Sequence, residues 1–122
     1  MSKRLKKFTV IREDWFRGKG GEPSRLLTRK GKMCCLGFCA RSLGYRRQSI
    51  LTRTGPDDTV LRTSRNRWPS SLLQKDEGGP YWNTELCAGI ISINDDTSSS
   101  DEYKEAKLKK RFEQAGFKVD FV

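Results

Sequence analysis

Between Met33 and Leu43 the apolar side chains Leu36, Cys39, Ala40 and Leu43 recur at three- and four-residue spacing, which predicts a helix with one buried face at the centre of the fold. Gly44 follows where a left-handed residue ends such a helix. Gly37 lies inside it and weakens it, so a close neighbour is expected over that position. A second helix is written near the end of the chain. Ser99 with Glu102 three residues on forms a capping box for a helix running to Ala115. Its acids Asp101, Glu102 and Glu105 come early and Lys107, Lys109, Lys110 and Arg111 late, the order that the helix dipole favours. Leu108, Phe112 and Ala115 form its core face, Gly116 ends it, and Phe117, Val119 and Phe121 alternate with Lys118 and Asp120 as a last strand.

The rest divides into shorter pieces. Lys7–Arg12 alternates apolar and polar residues, predicting a strand with Phe8 and Val10 on one face, and Trp15 and Phe16 anchor the chain after it. Arg17–Ser24 is a glycine-rich cationic loop, and Arg25–Arg29 is expected to be a short strand leading into a turn at Lys30–Lys32. Residues 53–85 are irregular, with turns at Gly55–Asp58, Trp68–Ser71 and Glu77–Pro80. Leu86–Ile93 is apolar, short and β-branched towards its end, which predicts a buried strand, with a turn over Asn94–Ser99. The sum is an α+β fold: a basic tail at 1–7, then a single domain at 8–122 with a short, mainly antiparallel sheet against the central and C-terminal helices. A chain of 122 residues suits one modest core.

Charge is the second constraint. The net charge is +10, and residues 1–67 hold 18 Lys and Arg against 5 Asp and Glu, a net +13, while 68–122 hold 7 against 10, a net −3. Such a field favours nucleic acid, an acidic protein face or an anionic surface as partner. The cations that stand on loops around the central helix are Arg17, Lys19, Arg25, Arg29, Lys30 and Lys32 before it and Arg46, Arg47, Arg53, Arg62, Arg65 and Arg67 after it. These are the candidate partner- or phosphate-binding residues, with Tyr45 and Trp68 interleaved as candidate stacking surfaces for bases. No zinc-finger, recognition-helix or ribonucleoprotein signature accompanies them, so sequence-specific reading is not expected.

Catalysis finds less support. Cys34 or Cys35 at a helix start beside Lys30 and Lys32 has the setting of an activated thiol, but the chain contains no histidine to serve as its base. Cys35, Cys39 and Cys87 are weak candidates for a zinc site, since no Cys-x-x-Cys pair is present, and no cofactor is expected. The carboxylates Asp95, Asp96, Asp101 and Glu102 already have a role in the turn and the first helical turn. No stretch reaches the roughly 20 apolar residues of a membrane span, and Met1–Lys7 lacks the apolar region of a signal peptide. The expected setting is the cytoplasm, where the four thiols stay reduced.

Trp15 with Arg17-Gly18, the block Gly31-Lys32-Met33-Cys34-Cys35-Leu36-Gly37-Phe38, and Ile91-Ser92-Ile93-Asn94-Asp95 before a charged last helix resemble landmarks of a family of small bacteriophage and prophage proteins. That resemblance implies a phage origin and a place in the infected bacterial cell, and it brings no catalytic residue with it. The reading is of a non-enzymatic phage accessory protein that binds and inhibits or redirects a host protein or ribonucleoprotein, such as a nucleic-acid-guided defence complex in the anti-CRISPR manner. The alternative is a DNA- or RNA-binding accessory protein that acts without sequence specificity through its basic half, and a cysteine-based enzyme or zinc protein ranks third. Either binding protein would be a monomer or a small homo-oligomer.

Overall fold

The structure, a computed structural model, describes residues 6–16, 25–59, 66–75, 81–96 and 98–122. Its centre is a pair of strands, β1 (Lys6–Val10) and β4 (Phe117–Phe121), drawn from opposite ends of the sequence. They run parallel, with Lys6 opposite Phe117 and Val10 opposite Phe121. Phe8, Val10, Phe117, Val119 and Phe121 are all buried, as the alternation predicts. Each contributes about 1.5–3 kcal/mol on leaving water. The ring of Phe8 meets those of Phe112 and Phe117 edge-on, at 5.0 and 5.8 Å between centroids.

Three helices enclose this pair. Helix α1 (Cys35–Ser42) lies against β1, and α5 (Asp101–Gln114) lies against both β4 and α4 (Glu85–Asp95). Between them come two single-turn helices, α2 (Arg47–Ile50) and α3 (Pro56–Thr59), and an antiparallel ladder of β2 (Leu73–Lys75) with β3 (Tyr81–Asn83). One short, mainly antiparallel sheet was expected; the described strands form two separate pairs, the longer parallel and the shorter antiparallel. Side-chain alternation is the same in either sense and does not reveal direction, and the long stretch between β1 and β4 permits the parallel return. Lys6, assigned from sequence to the basic tail, is the first residue of β1, and Lys7, where the strand was expected to begin, is the second.

Helix α1 forms where expected, but in place of one buried face it is buried on every side over Cys35–Ala40, and Leu43 is half-buried past its end. Gly37 has the expected close neighbour: a Cβ there would stand 1.9 Å from the Leu26 carbonyl oxygen and 2.8 Å from Met33 Cβ. Gly44 and Gly116 adopt φ of 98° and 94°, the left-handed geometry that closes α1 and α5. The cap of α5 is Ser100, whose side chain accepts from the Tyr103 N–H, one residue later than the sequence suggested.

Two expected strands are not strands. Leu86–Ile93 belongs to α4: Thr84 caps it by accepting from the Cys87 N–H at 3.2 Å, and Cys87, Ile90 and Asn94 face inward at helical spacing. The helix is longer than the apolar run because Glu85, Asn94 and Asp95 extend it beyond the apolar residues, so Asn94 and Asp95 are helical and not part of a turn. The segment 25–29 makes one isolated parallel bridge, Leu27 to Leu51, and both Leu26 and Leu27 are buried, which breaks the alternation of a regular strand. Of Gly55–Asp58, expected as a turn, Pro56–Asp58 belong to the single turn of α3 and Gly55 precedes it. The expected loops at 17–24 and 77–80 lie outside the described residues.

Candidate functional site

Around Asn94 the fold gathers residues that are far apart in sequence. Asn94 is 1% exposed, and its Oδ1 accepts from Trp15 Nε1–H at 2.7 Å and from the Cys35 N–H at 3.2 Å. Its Nδ2 donates to the Phe16 carbonyl at 3.0 Å. Because Cys34, the cap residue of α1, supplies no side-chain acceptor, Asn94 caps that helix from another element. The Lys104 ammonium, also 1% exposed, donates to the Asn94 carbonyl at 3.0 Å. Trp15, the cysteine block and the Asn-Asp pair, the landmarks of the resemblance, therefore meet in one buried hydrogen-bonded node whose work is to join α1, α4 and α5.

The cysteines lie in the same interior. All four are buried free thiols. Burial pushes Cys34 and Cys87 up to about 12 and moves Cys35 and Cys39 upward as well. At Cys34 the backbone N–H groups of Leu36 and Gly37 act in the opposite direction and are outweighed. The thiol setting that the sequence suggested, a helix start beside Lys30 and Lys32, thus gives a protonated, inert sulfur. Cys35, Cys39 and Cys87 are close enough to disfavour one another's ionisation. Among the described residues no group of three or more Cys, Asp and Glu is arranged to hold a metal ion.

The carboxylates near the start of α5 are occupied by local structure. Asp96 accepts from Ser98 Oγ at 2.6 Å, Ser99 Oγ at 2.5 Å and the Ser98 N–H at 2.9 Å, bonds that hold its carboxyl down at about 2. It lines a cleft of about 580 Å³ with Asp95, Ser99, Tyr103, Lys104 and Lys107. A carboxylate held in this way closes a turn and does not exchange protons near neutral pH.

The cations remain at the surface, and the fold sorts them. Arg29, Lys30 and Lys32 are exposed on a turn held by the Thr28 side chain, which accepts from the Lys32 N–H at 3.0 Å. Arg47 reaches this turn, its Nη2 lying 3.8 Å from where a Cβ on Gly31 would be, and Arg46 is exposed beside it. Arg25 is half-buried, and its carbonyl accepts from the Cys34 N–H. Arg53 is turned inward, in an ion pair with Asp58 at 3.2 Å. Arg67 lies elsewhere, with Nη1 3.1 Å from the Cβ position of Gly44. Together with Lys6, Lys7, Ser42 and Leu43 it lines a groove of about 590 Å³. Arg17, Lys19, Arg62 and Arg65 lie outside the described residues.

Two corrections follow. Tyr45 and Trp68 are 2% and 4% exposed and packed on each other, 5.6 Å between rings, so they are not stacking surfaces for bases. The Tyr45 hydroxyl accepts from the Arg67 N–H at 2.8 Å, and Trp68 Nε1–H donates to Thr59 Oγ1 at 3.0 Å. Lys6 and Lys7, absent from the candidate binding residues, line the groove. Extending the alternation of Phe8 and Val10 back to Lys6 would have placed it on β1 beside Lys7. Among the described residues no helix is long and apolar enough to cross a membrane. Compared with known protein families, with curated proteins and with solved structures, the chain matches none.

Proposed function

We propose that the chain acts by binding and not by catalysis, as a bacteriophage accessory protein that inhibits or redirects a host macromolecule in the cytoplasm of the infected cell. The target class it fits is a nucleic-acid-guided defence complex, engaged in the anti-CRISPR manner. The observation that carries this reading is the division between interior and surface: the four thiols are buried and protonated, while Arg29, Lys30, Lys32, Arg46, Arg47 and Arg67 stand exposed. A nucleophile without access cannot turn over a substrate, whereas exposed cations on a chain of net charge +10 speed encounter with a polyanionic target. The resemblance to small phage proteins supports the setting. Tagged protein recovered from infected cells and treated with nuclease is expected to retain a host protein at fixed stoichiometry. Recovery of nucleic acid alone, lost after the nuclease, would sink the inhibitor reading.

The second reading, direct binding of nucleic acid without sequence preference, is favoured by the groove at Lys6, Lys7 and Arg67. Affinity for a labelled duplex is then expected to fall steeply between about 50 and 200 mM salt, as counterion release requires. Absence of any shift at micromolar protein and low salt would eliminate it.

A further inference from the structure

The groove between the start of β1 and the end of α1 is built from three cations. Lys6, Lys7 and Arg67 line it together with Ser42 and Leu43. Lys6 reaches the neighbourhood of α1, where its charge is felt at Cys39. Lys7 is opposite Lys118 across the ladder, so no carboxylate faces it from β4. Among the described residues neither Lys6, Lys7 nor Arg67 is in an ion pair; Arg12 and Arg53, by contrast, have carboxylate partners. The negative end of α1 accounts for one nearby cation, and Arg41 in its last turn already donates to the Tyr45 carbonyl at 2.8 Å. Three further positive groups around one hollow repel one another unless an anion joins them.

Arg67 is also held in place. Its N–H donates to the Tyr45 hydroxyl, and its guanidinium lies over Gly44, where there is no side chain to displace it. The same tyrosine is packed on Trp68 and offers no face to a base. Ser42 Oγ donates its proton to the Cys39 carbonyl at 2.6 Å, which leaves the cations as the donors for an incoming anion. The hollow therefore offers charge and no stacking platform. Single-strand binders depend on aromatic stacking, whereas a duplex is held through its phosphates.

We infer that Lys6, Lys7 and Arg67 form a seat for the phosphodiester backbone of a nucleic-acid duplex, contacted without reading its sequence. This rests on the direct nucleic-acid reading above. The test is a salt titration of binding to a fluorescent DNA duplex and to one of its single strands. Wild type is expected to prefer the duplex. The variant K6Q/K7Q/R67Q is expected to lose about tenfold or more in affinity at low salt, with the slope of log K against log salt shallower by about 2–3, close to one unit per phosphate contact. Arg67→Gln alone removes an exposed side chain and is expected to reduce the slope by about 1. The charge-preserving K6R/K7R/R67K is expected to keep the wild-type slope, which distinguishes a lost contact from a lost fold. If wild type binds but K6Q/K7Q/R67Q keeps its affinity and slope, the groove is not the seat and the nucleic-acid reading survives. A preference for the single strand overturns the duplex assignment. If wild type binds neither probe, the reading and the inference fall together.

Discussion

Asn94 shows how much of this fold depends on one side chain. Replacing it with alanine leaves the Trp15 indole N–H and the Cys35 N–H buried without their acceptor. Each orphaned donor costs about 1–3 kcal/mol, so Asn94→Ala is expected to lower the unfolding free energy by about 3 kcal/mol in urea titration followed by tryptophan fluorescence. A loss below about 0.5 kcal/mol would show that water replaces the amide at the node. Asn94→Asp keeps the acceptor but loses the donor to the Phe16 carbonyl and to Asp95, and sets a buried carboxylate against that acid, so it is expected to destabilise at least as much as alanine. Hydropathy periods carry no trace of this node, because its members come from four separate segments. The sequence pointed to it only through the landmarks Trp15 and Asn94.

At the scale of elements, two glycines within helices are expected to respond with opposite signs. Gly37→Ala adds a methyl group 1.9 Å from the Leu26 carbonyl oxygen, a backbone atom that cannot move aside cheaply. The overpacking cost of about 3 kcal/mol exceeds the gain in helix propensity of about 1 kcal/mol. Gly89→Ala in α4 meets nothing within 4 Å and is expected to gain about 0.5–1 kcal/mol. Equal effects of the two substitutions on thermal unfolding would contradict the packing at Leu26. The need for a neighbour over Gly37 was legible from sequence, as were α1, α5 and β4, because each carries a period and an end signal. Helix α4 was not, since the apolar run Leu86–Ile93 is too short to separate helix from strand by period, and its cap at Thr84 lay outside the run considered. The cationic site was legible as a list of residues and not as a surface. Which charges converge depends on tertiary contacts, as with Arg53 turning inward to Asp58 and Lys6 joining Arg67.

For the whole molecule, the two ends of the described chain are fastened to each other. The Arg12 N–H donates to the Val122 carbonyl at 2.7 Å, and the Val122 N–H donates to that of Val10 at 3.0 Å. Arg12 adds a two-point bond to Glu105 of α5, at 2.9 and 2.6 Å. Ending the chain at Gly116 removes Phe117, Val119 and Phe121 from the core and the whole partner of β1. Cooperative thermal unfolding is expected to disappear, and a sharp transition in the shortened chain would show that the helices hold together without the sheet.

The parallel pairing of β1 and β4 also governs when the fold can form. A strand emerging from the ribosome normally finds its neighbour within a few dozen residues, but β1 must wait for about 110 more before its register partner is synthesised. During that interval Phe8 and Val10 have no ladder to join, and α1 has no finished sheet beneath it. Closure of the core therefore waits on a large loop being brought together, and a chaperone that shields apolar segments would find its substrate in the segment around Phe8 and Val10 before β4 joins it.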